Sequence, residues 1–147
     1  MELPPQETLN AAPQQGDPVG IVERSMRRAI GDEQMVQKSL AALVEMLKKP
    51  TNKFVHLGNT MFLVMVKNPG EVEVHTFSEE NPMGLAKNFV DLAKYLQNIG
   101  VKKATTYSED VRFRKIAEMT QLPVKIEQST GMVGAEMRPV YKYTMEF

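Results

Sequence analysis

The chain has 147 residues, 42% of them hydrophobic and 24% charged, with 18 Lys+Arg balancing 18 Asp+Glu and no Cys. A chain of this length forms one domain and buries roughly 68–70% of its unfolded surface without a disulfide or a structural metal. The composition excludes a disulfide framework, a thiolate zinc site and a cysteine nucleophile. Zero net charge removes the broad basic field of a non-specific nucleic-acid binder and leaves only local patches.

Residues 1–18 carry Pro4, Pro5, Pro13 and Pro18, with only Leu3 and Leu9 as sizeable apolar groups, so an extended arm is expected there. The start, Met1-Glu2-Leu3-Pro4-Pro5, has neither the basic flank nor the apolar stretch of a signal peptide, and a cytoplasmic product is expected. A helical pair follows over 19–49. Val22, Met26, Ala29 and Ile30 share one face, Gly31 interrupts, and Asp32 caps a second helix bearing Val36, Leu40, Leu43, Val44 and Leu47. Pro50 stops it. Arg24, Arg27, Arg28, Lys38, Lys48 and Lys49 make the pair partly basic, offset by Glu23, Asp32, Glu33 and Glu45.

The segment 50–147 reads as a sheet domain. Phe54-Val55-His56-Leu57, the turn pair Gly58-Asn59 and the run Met61 to Val66 predict a hairpin. That run is also the longest apolar stretch and falls far short of the ~20 residues that span a bilayer. Asn68-Pro69-Gly70-Glu71 suits a type II turn, after which Val72, Val74 and Thr76 alternate with Glu71, Glu73 and His75. Asn81 and Pro82 open a long helix with a stripe at Leu85, Phe89, Leu92, Ala93, Leu96 and Ile99, and Gly100 ends it. Val101 to Tyr107 predicts a strand. Ser108 then caps a helix directing Val111, Phe113, Ile116, Ala117 and Met119 inward, and 124–127 and 140–145 are strands joined by a loop over 128–138. The order implies an α+β fold with a mixed sheet of about six strands behind an N-terminal helical extension. The crossover from the 71–77 strand through the long helix is expected to be parallel and right-handed.

This order, together with the strand, helix, strand stretch from Gly100-Val101-Lys102-Lys103-Ala104 to Pro123-Val124-Lys125-Ile126-Glu127, resembles the GNAT acetyltransferases over residues 33–147. The resemblance implies an acetyl-coenzyme A site between meander and helix, where that family carries Arg/Gln-x-x-Gly-x-Gly/Ala and binds a pyrophosphate on backbone N–H groups. This chain has Ser78-Glu79-Glu80-Asn81-Pro82-Met83-Gly84 there. Two carboxylates are expected to face the pyrophosphate position, Pro82 removes a donor, and one Gly remains. The family's Asn-x-x-Ala pattern is missing and Ser108 to Gln121 holds no Tyr for its acid. A degenerate, non-catalytic version is therefore expected, similar to small virion proteins of short-tailed bacteriophages.

Other sites are weaker. His56 and His75 are the only histidines, and an outer strand face of mixed polarity, rather than a metal, accounts for His75 beside Glu71, Glu73 and Glu79. No nucleophile elbow surrounds Ser78 or Ser108. Glu79 and Glu80 read either as general bases or as acidic residues at a helix entry. Among the 11 Met, Met46, Met61, Met65 and Met119 are expected to fill the core, and Met26, Met132 and Met137 fall where a partner chain could touch.

The expectation drawn is a structural or assembly protein of a virion, formed in the host cytoplasm. It docks on other virion proteins or on itself through the arm and helices, with Leu3, Leu9, Val22, Met26 and Ile30 as interaction residues. No catalytic, cofactor or metal residue is assigned and no cofactor is expected; nucleic-acid contact is not favoured. The alternative is a GNAT-type N-acetyltransferase using acetyl-coenzyme A.

Overall fold

The computed structural model describes residues 17–133 and 136–147. Helix α1 (Pro18–Ile30) starts where the Asp17 carboxylate accepts the Gly20 N–H at 3.2 Å, and it ends at Gly31, whose φ of 79° suits glycine. Asp32 caps α2 (Glu33–Leu47) in the same way, through the Gln34 N–H at 3.0 Å. The meander comprises β1 (Asn52–Leu57), β2 (Thr60–Asn68) and β3 (Glu71–Ser78), followed by α3 (Pro82–Asn98), β4 (Lys103–Ser108), α4 (Phe113–Met119), β5 (Val124–Val133) and β6 (Glu136–Glu146). The strands form one sheet in the order β1-β2-β3-β4-β6-β5. Only the β3–β4 pairing is parallel, so the fold is the expected α+β mixed sheet of six strands.

Strand β2 lies near the centre of two apolar layers. Its residues Met61, Leu63 and Met65 join Phe54 against Ile21, Val22, Met26, Val36 and Leu43 of α1 and α2. Its alternate residues Phe62 and Val64 join Val55, Leu57, Val72 and Val74 against Leu85, Leu92 and Leu96 of α3. A strand covered on both faces must be apolar at every position, which is why the run from Met61 to Val66 is unbroken. The α3 stripe packs, as its period requires, on the face bearing Val72 and Val74.

Two elements differ from the sequence reading. Helix α4 begins at Phe113, five residues after Ser108, because the local polar groups bond one another first. The Ser108 hydroxyl accepts the Asp110 N–H at 3.2 Å, and the Asp110 carboxylate folds onto the Arg112 N–H at 2.9 Å and onto its guanidinium. An Asx-type turn of this kind competes with helix. It leaves Val111 65% exposed, and Met119 at the far end is 44% exposed, so neither is a core residue. Within the segment expected to be a loop, residues 128–133 and 136–138 are strand, because the β5–β6 ladder continues through Gln128↔Tyr141 and Thr130↔Pro139 to Val133↔Glu136. Pairing of β6 with β4 stops at Ser108↔Tyr141, so Pro139 lies where β6 has only β5 beside it and the missing N–H disrupts no second ladder.

Candidate functional site

The parallel pair β3 and β4 is in register only at Glu71↔Lys103, Val72↔Ala104 and Glu73↔Thr105. One side-chain link follows, the Thr106 hydroxyl donating to the Val74 carbonyl at 2.7 Å, and then the strands part. Between their carboxyl ends lies a cleft of about 790 Å³, walled by Thr76 and Ser78 of β3, Tyr107 and Ser108 of β4, Pro82 and Leu85 of α3, and the α4 segment. An edge-on aromatic series, Phe62–Phe89–Phe113–Tyr143 with centroids 5.0, 5.4 and 4.9 Å apart, ties α3 and α4 to the sheet. In an α/β sheet, the crevice at the carboxyl ends of diverging parallel strands is the usual seat of a ligand.

The β3 edge facing the cleft can be read residue by residue. The carbonyls of Gly70, Val74 and Ser78 all point to this side, accepting from the Lys102 and Lys103 N–H groups, from Thr106, and from Arg28 and Ser25 respectively. The two-residue strand period places the Thr76 backbone N–H and C=O on the same side, beyond the last β4 partner. The Thr76 hydroxyl is also buried, without a hydrogen-bond partner among the described residues.

The two glutamates of the β3–α3 loop part company. Glu79 turns to α1, where the Arg24 guanidinium grips it in bidentate fashion at 2.6 and 2.8 Å and Arg28 adds a contact at 3.5 Å. The Arg24 hydrogen bond holds the Glu79 carboxyl below the usual glutamate range against a smaller opposing effect of burial. Glu80 remains on the cleft wall, its Oε1 accepting the Asn59 N–H at 2.9 Å. A Cβ on Gly84 would strike its other oxygen, so the glycine makes room for the carboxylate. The expectation that both carboxylates oppose the cofactor position is corrected: one is consumed by the N-terminal helix, and Glu80 alone lines the cleft.

A buried polar chain fixes this loop. Asn88 of α3 donates to the Leu57 carbonyl at 3.1 Å and to the Thr60 hydroxyl at 3.0 Å, Thr60 meets the Ser78 hydroxyl at 2.8 Å, and Ser78 accepts the Glu80 N–H at 3.0 Å. Asn88 was the missed signal: an asparagine at an apolar-stripe position three residues after Leu85 and four before Leu92.

Val22 and Met26 are 4% and 8% exposed and packed on the sheet, Ile30 is half-buried beside them, and Leu3 and Leu9 lie outside the described residues. The apolar surface of Val22 and Met26 is thus taken up by the chain's own core. His56 is buried and bonded to the Gly58 carbonyl at 2.9 Å, and exposed His75 pairs with Glu73 at 2.8 Å. Among the described residues no three His, Asp or Glu side chains converge as a metal site would require. The Tyr143 hydroxyl, buried and without a hydrogen-bond partner among the described residues, is pushed up from the ordinary tyrosine value by burial.

No family model matches the chain, and no curated protein matches it. Its likenesses are structural. A probable GNAT-family acetyltransferase from Chromobacterium violaceum superposes with a TM-score of 0.57 at 14% identity, covering 98% of this chain and 96% of the other. A Bacillus subtilis acetyltransferase in complex with CoA gives 0.56 at 9%, covering 90% and 95%. A GNAT acetyltransferase from Elizabethkingia anophelis with acetyl-CoA bound gives 0.55 at 9%, covering 92% and 94%. The fold is therefore GNAT-like. These neighbours are enzymes, which overturns the expectation of a non-catalytic virion component and favours the alternative reading; they also give no support to degeneracy or to a bacteriophage origin.

Proposed function

We propose that this chain is a GNAT-type acyltransferase that moves an acetyl group from a coenzyme A thioester to an amine. The observation that carries this reading is the parting of β3 from β4 after Glu73 and Thr105, which leaves the Thr76 backbone free on the edge of a large cleft. A free strand edge pairs with an extended chain of amides, and the pantetheine arm of coenzyme A is one. Bound there, acetyl-coenzyme A would supply an activated thioester.

The chain's own groups do the rest. The amine must reach the cleft without its proton, and Glu80, the glutamate on the cleft wall, is the base placed to take it. Asp110 also lines the cleft, but hydrogen bonds from Arg112 hold its carboxyl below the usual range and make it the weaker base. As the C–N bond forms and the C–S bond breaks, the departing sulfur needs a proton, and Tyr107 presents a hydroxyl from the β4 wall. Arg28, Arg112 and Lys115 line the same space against Glu80 and Asp110, and with Arg112 paired to Asp110 and Arg28 beside Glu79, Lys115 is the cation best placed for a phosphorylated cofactor. The test is calorimetric titration with acetyl-coenzyme A, paired with thiol release over a panel of primary amines. Binding with a dissociation constant between about 1 μM and 1 mM is expected; no binding at several millimolar overturns the reading.

A further inference from the structure

Directly beneath the cleft lies a second space of about 80 Å³, between α3, α4 and the sheet, walled by Val74, Leu92, Leu96, Ala104, Ala117 and Met145 among others. Thr106 and Phe113 line both spaces, so the cavity adjoins the cleft at the point where β3 and β4 part. Of the four hydroxyl residues on its wall, Thr106 donates to the Val74 carbonyl and Thr120 to the Ala117 carbonyl at 2.6 Å, while the buried Tyr143 hydroxyl has no partner among the described residues. A water molecule needs two to four polar partners to stay in such a place, and a hydrocarbon needs none.

Resting on the acyltransferase reading, we propose that this cavity receives the tail of an acyl group longer than acetyl, so that the preferred donor is a short-chain acyl thioester of propionyl to butyryl size. The location fits because the thioester carbonyl must lie where the strands part, and the cavity starts there. The size fits as well. An apolar cavity of about 150 Å³ takes a benzene molecule, so one of about 80 Å³ takes about three carbons, the number that butyryl carries beyond its carbonyl. A longer chain exceeds this volume.

The experiment is a calorimetric series on the full chain with acetyl-, propionyl-, butyryl- and hexanoyl-coenzyme A. Butyryl-coenzyme A is expected to bind about tenfold more tightly than acetyl-coenzyme A, the gain of two methylenes leaving water, and hexanoyl-coenzyme A is expected to lose that gain. Ala117→Leu on α4 and Ala104→Val on β4 each fill the cavity from a different wall without touching the cleft. Each should erase the chain-length preference and leave acetyl-coenzyme A affinity within about twofold. The melting curve of each variant shows that it is folded, and the strand-compatible valine covers the case in which the leucine is not tolerated. Equal affinity across the series overturns the proposal while the acyltransferase reading stands, as does a preference that survives both fillings. Failure of every thioester to bind overturns both.

Discussion

Glu79 and Glu80 are neighbours of the same type, and their difference in role comes from what each meets. The Arg24 guanidinium takes Glu79 in a bidentate pair, whereas Glu80 is held over Gly84 by one backbone N–H from Asn59. Glu80→Gln keeps an acceptor for Asn59 but cannot take a proton, so transfer should fall by roughly 10²–10⁴-fold in kcat/KM with the melting temperature little changed. Steady-state thiol release and a thermal melt on the same sample check both halves. Glu79 predicts a pH effect instead. Its carboxyl is depressed in the folded chain, so its contribution is fully present above the ordinary glutamate value of ~4.3 and is lost as pH falls through the folded value. Thermal melts from pH 7 to pH 2 should show part of the acid destabilisation missing in Glu79→Gln. Neither contrast was legible in Ser78-Glu79-Glu80-Asn81, because the partners Arg24 and Asn59 lie 55 and 21 residues away from the glutamates they meet.

Elements with a strong period were legible and those governed by local polar groups were not. The stripe of α3 and the alternation of β3 are statements about which face is apolar, and burial obeys them: Leu92 is 3% exposed among Val72, Val74 and Leu96. Leu92→Ala should therefore cost ~2–5 kcal/mol in urea-induced unfolding, and a loss under about 0.5 kcal/mol would place α3 on some other surface. The start of α4 was misplaced because Ser108, Glu109 and Asp110 look like a cap and an acidic first turn, while Asp110 in fact closes on Arg112. The glycine and proline of 128–138 suggested a loop, yet Gly131 and Pro139 lie opposite Arg138 and Thr130 in a two-stranded ladder away from β4. The parting of β3 and β4, which makes the cleft, leaves no mark in either strand's own pattern. The Phe89–Phe113–Tyr143 packing beside it joins residues far apart in the sequence and is equally silent in any one element's pattern.

At the scale of the molecule, helices cover both faces of the sheet, and the N-terminal pair does two things at once. It seals the face carrying Phe54, Met61, Leu63 and Met65, and through Arg28 and Ser25 it holds the Ser78 carbonyl at the rim of the cleft. Ile21 is the centre of that seal, with none of its surface exposed. Ile21→Ala should therefore cost ~2–5 kcal/mol in the isolated protein, with no partner present, because the cavity opens against β2 and not against another chain. The same variant should loosen the Ser78 carbonyl and weaken acetyl-coenzyme A binding, although Ile21 does not line the cleft. Truncation of residues 1–16 provides the control, since it leaves all the described members of the two apolar clusters in place. If the truncated chain melts within a few degrees of the full one while Ile21→Ala unfolds early and binds poorly, α1 is a wall of the sheet fold. An Ile21→Ala variant as stable as the parent would instead make α1 a detachable arm, and the Arg24–Glu79 pair would then lose its role in setting the loop.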